Sequence, residues 1–549
     1  MKHLILFLII ISFGCSSNEN LSPIVKNRAI DSLLINHKVN KTPKNWEFKD
    51  VILDTLPGIS LYRAYDSILN NKEGKPVIVA LIDMTVEINH QGLKNNIWEN
   101  SDEKVNGLDD DDNGYVDDIN GWNFIGNNKG QNNEFVNYEY TRIIKKFNSK
   151  FKKSNYIFKS KLDSLEYQIY QKALKKLNSR LKFAKEDLEY INMVSNSKND
   201  AEKLIANYIN TSYTLENLDS LKKVYPNNNK LQSAILRKSN FIKYGYSNEY
   251  VNRYRLKAKE RIDKLLNLDY NDRIIQKDNP ENLNDYGYGS YKFNQNTTFL
   301  DHGTLMAGII SKVGFKNEIK IMPLTISAYG DEHDKDIALA IRYAVDNGAK
   351  VINMSFAKEF SLHLDWVLEA IEYANTNNVL IVSAAANDKY NLDLNENSKF
   401  PNDHNNFNDI EVSNNFLNVG SSSYKFKNYL KSSFSNYGIK EVDVFAPGEK
   451  IYTTFPNNNF DVAYGGTSSA SALISGVAAL LYAYYPNISV SQVKEIIMHT
   501  GLEFDVMVKT PTKKDKKKMT SFNKLSKSGK IVNIYNAIVS AEKKYIFKK

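Results

Sequence analysis

The chain has 549 residues, 42% of them hydrophobic and 25% charged, enough to bury a large core in one catalytic domain with insertions or in two to four ordinary domains. Its 72 basic residues outnumber 63 acidic ones, a net charge of +9. That excess is mild for the length and comes with no RNA- or DNA-binding motif, so no nucleic-acid partner is expected.

In chain order, the first residues set the compartment. "MKH" followed by "LILFLIIISF" is a basic stretch and an apolar run too short to span a membrane as a mature helix. It ends at Gly14-Cys15, and Cys15 is the only cysteine, which excludes an intramolecular disulfide. The pattern resembles a bacterial lipoprotein signal, in which cleavage leaves the cysteine as a lipidated N-terminus, although Ser12 stands where such signals usually carry Leu. The expectation is an exported chain, anchored in the cell envelope by lipid on Cys15 and facing the periplasm or the surface, with a freely secreted form as the alternative. Residues 1–14 read as signal peptide, 15–44 as linker and 45–545 as one domain, interrupted over 135–273 by an insertion. No later segment reaches the ~18 apolar residues of a membrane span. Membrane contact is therefore expected through the anchor alone, and the oligomeric state is open.

Near-continuous apolar runs at "VIVALI" (77–82), "IKIMPL" (319–324), "KVINMSF" (350–356) and "VLIVSAAA" (379–386) read as strands buried on both faces. "DKDIALAIRYAVDN", which stops at Gly348, and "LDWVLEAIEYANTNN", which follows Ser361, read as helices between them. Strand–helix repetition of this kind predicts an α/β fold, a three-layer arrangement with a parallel sheet covered by helices on both sides. The insertion is poor in glycine and rich in Lys, Asn, Tyr and Glu. Leu162, Leu165, Ile169, Leu174, Leu177 and Leu181 recur there at helical spacing, and Pro226 breaks a second helical stretch. A helical insertion packed on the main domain is expected, with removal of residues 137–272 sparing the fold.

"DDDDNGYVDDIN", residues 109–120, places oxygens at the spacing of a calcium loop. Asp109, Asp111, Asn113, the Tyr115 carbonyl and Asp117 are the expected ligands, with Gly114 at the sharp turn. So many carboxylates repel one another unless a cation screens them, so a structural Ca2+ is expected. No Cys/His cluster or H-E-x-x-H points to a catalytic metal.

Hydrolysis at a carbonyl needs a nucleophile, a base, a group that orients the base, and donors for the oxyanion. Each role has a residue at the edge of a predicted strand or helix. Asp83 closes "VALID", His302 opens "HGTLMAGII", Asn387 follows "SAAA", and Ser468 stands in "GGTSSASA" just before a long apolar run. The last position puts Ser468 in the first turn of a buried helix, where free N–H groups favour negative charge.

With the four segments in the order Asp, His, Asn, Ser, the chain resembles the subtilisin-like serine proteases, from about Asn45 to Ala541 with the insertion excluded. The resemblance implies a subtilisin-like domain and polypeptide substrates. It makes Ser468 the nucleophile, His302 its general base, Asp83 the group that orients the imidazole, and Asn387 with the Ser468 N–H the oxyanion donors. Ser469, Ser471 and Ser475 read as small packing residues. Ser355, Phe356, Ala357, Ala385 and Ala386 would wall the pocket for the side chain before the cut bond. Ala357 and Ala386 stand where the family usually has glycine, so a narrow, apolar pocket is expected. Met84 replaces the usual hydroxyl after the aspartate, and Leu305, Ser469 and Ala472 also depart from the pattern. A catalytically silent envelope binding or scaffold protein is the alternative. The insertion lies between the Asp83 and His302 segments, so its ends are expected on the catalytic side of the sheet.

Overall fold

The computed structural model describes residues 42–152, 156–293, 296–405 and 410–545; the signal segment, Cys15 and nearly all of the 15–44 linker lie outside them. The predicted strands form as β1 (Val77–Asp83), β3 (Ile319–Thr325), β4 (Val351–Met354) and β5 (Leu380–Ala384). They sit in a sheet of nine strands among the described residues, in the order β8-β9-β7-β6-β5-β4-β1-β3-β2. The additional members are β2 (Trp122–Asn123), β6 (Phe416–Ser422), β7 (Val444–Pro447), β8 (Leu502–Glu503) and β9 (Lys530–Ile531). In that order all neighbours from β9 to β2 run parallel, and only β8 is antiparallel.

A strand buried on both faces sends alternate residues to opposite cores. In β1, Val77, Val79 and Leu81 join one core and Ala80 and Ile82 the other. The first core is covered by α6 (His302–Ser311), α9 (Thr467–Tyr484), α10 (Val490–His499) and α11 (Ile534–Tyr545), the second by α7 (Asp334–Asp346) and α8 (Leu364–Thr376). This is the expected three-layer α/β architecture. Helix α9 is long and apolar enough to cross a membrane by length and composition, but 89% of it is buried inside the fold. It is the central helix of the first core. Its polar face is zipped to β4: Ser475 Oγ donates to Asn353 Oδ1 at 3.0 Å, and Ser471 Oγ lies 3.0 Å from Ser355 Oγ. Ser471 and Ser475 are thus hydrogen-bonding residues as well as small ones.

The insertion holds α1 (Glu139–Phe151), α2 (Lys161–Ala206), α3 (Leu215–Val224), α4 (Asn229–Lys243) and α5 (Asn248–Glu260). Helix α2 has 46 residues, about 70 Å at 1.5 Å per residue. Its buried stripe is Tyr170, Ala173, Leu177, Ala184 and Ile191, whereas Leu162 and Ile169 are exposed. The spacing identified the helix and part of its buried face: Leu177 lies in the stripe and Leu174 and Leu181 pack at its edge, but Leu162 and Ile169 do not. Small residues let α2 approach its neighbours, and the larger predicted residues cover the flanks. Pro226 falls between α3 and α4, as expected.

Candidate active site

Strand β1 ends at Asp83, and α6 begins at His302. A glycine at the second position of α6 lets these ends meet, because a Cβ on Gly303 would lie 2.2 Å from the Met84 carbonyl oxygen. His302 Nδ1 is consequently 2.7 Å from Asp83 Oδ1. Asp83 is 1% exposed. Its Oδ1 also accepts the Met84 N–H at 2.7 Å, but its buried Oδ2 has no hydrogen-bond partner. Burial pulls the His302 imidazole pKa down; Asp83, aided by Asp301 and Glu332, outweighs this and raises it above the ordinary histidine value.

Ser468 is the second residue of α9. Its Oγ donates to the Ser355 carbonyl at 2.7 Å. Asn387 follows β5, and its Oδ1 accepts both the Thr467 N–H at 3.0 Å and the Thr467 hydroxyl at 3.1 Å. Two donors on one oxygen fix the amide's orientation and leave Nδ2 free to face elsewhere. A Cβ on Gly466 would lie 3.4 Å from Asn387 Nδ2 and 3.6 Å from the Ser468 nitrogen. The two nitrogens thus border one small space, kept empty because residue 466 has no side chain.

Asp83, His302, Asn387 and Ser468 line a single cavity of about 320 Å³. The structure brings the four predicted residues together. Ser355, Phe356, Ala357 and Ala386 also line it. Ala385 does not; it is fully buried in a separate core, and Ala384 takes the wall position. The register of β5 decides this, since successive side chains alternate. Ala386 has φ +72°, a left-handed conformation that costs an L-residue about 1 kcal/mol and accounts for the expected glycine there. Glu332, which sequence reading missed, lines the same cavity and accepts the Ser327 hydroxyl at 2.7 Å. Burial pushes its carboxyl up to about 7. The pattern "YGDEHDKD" gave no signal of this, because only one of its acidic residues turns toward His302.

The family model for the subtilases, described as "Subtilase family", matches residues 74–527. The chain belongs to the subtilase family. It is 32% identical over 211 residues to the cell wall-associated protease of Bacillus subtilis (strain 168), covering 36% of this chain and 21% of that protein. It is 28% identical over 251 residues to subtilisin-like protease 2 of Plasmodium falciparum, covering 44% of this chain and 17% of that protein. It is also 28% identical over 214 residues to subtilisin DY of Bacillus licheniformis, covering 38% of this chain and 72% of that one. The matched stretch thus spans about a fifth of each of the two longer relatives. A solved cold adapted subtilisin-like serine proteinase is 23% identical, with 42% of this chain and 74% of its own covered at TM-score 0.33, a likeness too slight to add to the sheet topology.

In this subtilase the insertion flanks the cleft. Helix α5 reaches the segment before His302, where Arg253 donates to the Phe299 carbonyl at 3.4 Å. On the other side, Lys176, Arg180 and Phe183 of α2 line a second cavity that shares Ala357, Ala386 and Asp388 with the first. The insertion's ends do lie on the catalytic side. Its root is tied in by buried polar pairs: Glu139 with Arg142 and Lys358, and Asp272 Oδ2 at 3.0 Å from His333 Nε2.

The acidic loop folds around a narrower group than its spacing predicts. Carboxylate oxygens of Glu103, Asp109 and Asp111 lie within 4.8 Å of one another. Asn113 adjoins them, donating to Asp111 Oδ2 at 3.1 Å, and Gly114 turns at φ +91°. Asp117 is not in this group: its Oδ1 accepts the Asn106 and Gly107 N–H groups, each at 2.8 Å. Asp117 closes the loop, and Glu103, outside the predicted window, takes its place. Glu103 is 5% exposed, and its Oε2 has no hydrogen-bond partner.

Proposed function

We propose that this subtilase is a serine endopeptidase acting on polypeptides. The observation that carries the reading is one cavity containing an Asp83–His302 pair at 2.7 Å, a serine at a helix start and two nitrogens bordering an empty space. In the first step the Ser468 hydroxyl leaves the Ser355 carbonyl and turns to His302. The imidazole takes its proton as Oγ attacks the substrate carbonyl, and later passes it to the leaving amine. Asp83 holds Nδ1 protonated and stabilises the imidazolium. Asn387 Nδ2 and the Ser468 N–H receive the oxyanion, a contribution of about 3–4 kcal/mol per donor. Single replacement of Ser468, His302 or Asp83 by Ala should remove nearly all peptide hydrolysis, because the three act as a unit. Asn387→Ala should lower kcat about 100-fold with KM nearly unchanged. Hydrolysis that persists in Ser468→Ala would overturn the reading in favour of a binding or scaffold role.

The loop at Glu103, Asp109 and Asp111 fits a hard cation with oxygen ligands, since a buried carboxylate oxygen without a partner gains one when an ion binds. The role is structural, stiffening the loop between β1 and β2. Melting in millimolar calcium and in chelator should differ, and Asp111→Ala should abolish the difference. The basic and apolar N-terminal run before Gly14-Cys15 supports export and lipid anchoring in the cell envelope. A Cys15→Ala chain should then leave the membrane fraction.

A further inference from the structure

The second cavity, about 330 Å³, opens beside the first and shares Ala357, Ala386 and Asp388 with it. Beside Ala357 and Ala386, where the sequence reading expects a narrow, apolar pocket, this cavity is lined by charged side chains. Lys176 is paired with Glu359, Arg261 with Asp187, and Lys358 with Glu139 and Asp334. Lys399 differs from these. It is 5% exposed and lines the cavity. Its Nζ donates to Ser383 Oγ at 2.6 Å and to the Pro401 carbonyl at 2.7 Å, both uncharged acceptors. Among the described residues it forms no salt bridge. An ammonium has three donors, so one is left after these two. The Phe416 ring lies 5.5 Å from Nζ, and Asp403, Glu441 and Asp443 act on it only beyond salt-bridge distance; a buried cation compensated so weakly is costly.

We infer that Lys399 forms the base of the pocket for the substrate side chain before the cut bond, and selects a glutamate or aspartate there. The inference rests on the protease reading above and names its substrate class. A carboxylate entering between Ala357 and Ala386 would meet the remaining Lys399 donor and supply a counter-charge in direct contact. Burial pulls the free lysine's pKa down to about 7; a bound carboxylate would restore it. The cavity's own carboxyls are engaged elsewhere or raised by burial: Glu359 pairs with Lys176, Asp331 Oδ2 accepts the Glu139 N–H at 2.8 Å, and burial raises Asp388 and Asp331. The uncharged acceptors around Nζ point the same way, since Ser383 and Pro401 orient the ammonium without neutralising it. Arg180, from the insertion, adds positive charge at the outer wall.

The test is cleavage-site profiling of the full chain with a peptide library. Acidic residues should precede the cut at least 10-fold more often than their amides Gln and Asn. Lys399→Met should abolish that preference while cleavage after neutral residues continues, and Lys399→Arg should retain it. Cleavage without acid preference, or a preference that Lys399→Met leaves intact, overturns the inference. A second measurement does not depend on catalysis. The Ser468→Ala chain is titrated with a set of octapeptides, each carrying one Glu or, at the same position, Gln. At one position Glu should bind about 10-fold more tightly, and adding Lys399→Met should equalise the pair. Equal binding at every position in the Lys399 background contradicts the pocket assignment even if the chain cleaves nothing. Failure of the protease reading appears separately, as acid-selective binding without hydrolysis.

Discussion

Met84 donates its backbone N–H to Oδ1 of the adjacent Asp83 at 2.7 Å, yet its side chain leaves Oδ2 of the same buried carboxylate with no hydrogen-bond partner. In the proposed mechanism this carboxylate steadies the His302 imidazolium, and it is held on one side only. A hydroxyl at position 84 would supply the second donor, and a hydrogen bond to a charged group contributes about 1.5–3 kcal/mol. Met84→Ser is expected to raise kcat/KM by roughly 3- to 10-fold, with the fraction below the full value reflecting lost packing of the methionine. An unchanged or lower kcat/KM in a folded variant would show that Oδ2 needs no partner.

The empty space beside Gly466 gives a second prediction. Gly466 has φ 173°, extended backbone that alanine adopts freely, and an added Cβ meets nothing nearer than 3.4 Å. Gly466→Ala should therefore fold with a Tm close to that of the wild type. Its methyl would occupy the space that the oxyanion requires, so kcat should fall about 100-fold or more. Full activity in this variant would place the oxyanion elsewhere.

Glu332 predicts a pH signature in stability. Its carboxyl is raised from 4.5 to about 7 by burial. Between those values the folded chain holds a proton that the unfolded chain has lost, so the group's contribution to stability falls as pH rises through the window. The full penalty, on the order of 3 kcal/mol, applies above pH 7. Glu332→Gln keeps the Ser327 contact and cannot ionise. Its Tm should match the wild type near pH 4 and exceed it by several degrees at pH 8. His333, which burial pulls down to about 4, acts in the opposite direction but is common to both chains and cancels. A Tm difference independent of pH would contradict the burial of this carboxyl.

Removal of residues 137–272 should abolish the folded core, the reverse of the sequence expectation. The cut takes away Glu139, one of two carboxylate partners of the fully buried Lys358 side chain, and Asp272, the partner of His333. It also removes Arg142, whose Nη2 donates to the Asp331 and Glu332 carbonyls at 2.8 and 2.9 Å. Removing one partner of a buried pair costs about 3–5 kcal/mol, and the cut leaves two such groups, Lys358 and His333, each short of a carboxylate. A soluble deletion variant with native-like circular dichroism would contradict this.

Much of this arrangement could be read directly from the residues. β1, β3, β4 and β5 were visible because each is apolar on both faces, and Asp83, His302, Asn387 and Ser468 because each stands where such an element starts or ends. β6 and β7 were missed: "FLNVGSS" and "VFAP" mix small and polar residues with apolar ones and lack the continuous apolar run that marks the other strands. Local spacing also failed at the acidic loop, where Asp117 turns back to cap Asn106 and Gly107 and Glu103 enters from outside the window. The charged second cavity could not be foreseen, since Lys399 and the α2 residues are brought to it by tertiary packing from more than 200 positions apart in the sequence.

An activated Ser468 nucleophile would be open to covalent labelling. The full chain is treated with a fluorophosphonate and the adduct located by peptide mass spectrometry, beside Ser468→Ala and His302→Ala. One adduct is predicted, on Ser468, absent from the first variant and formed far more slowly in the second. A folded wild-type chain that remains unlabelled, or equal labelling of Ser468→Ala, would show that Ser468 is not an activated nucleophile.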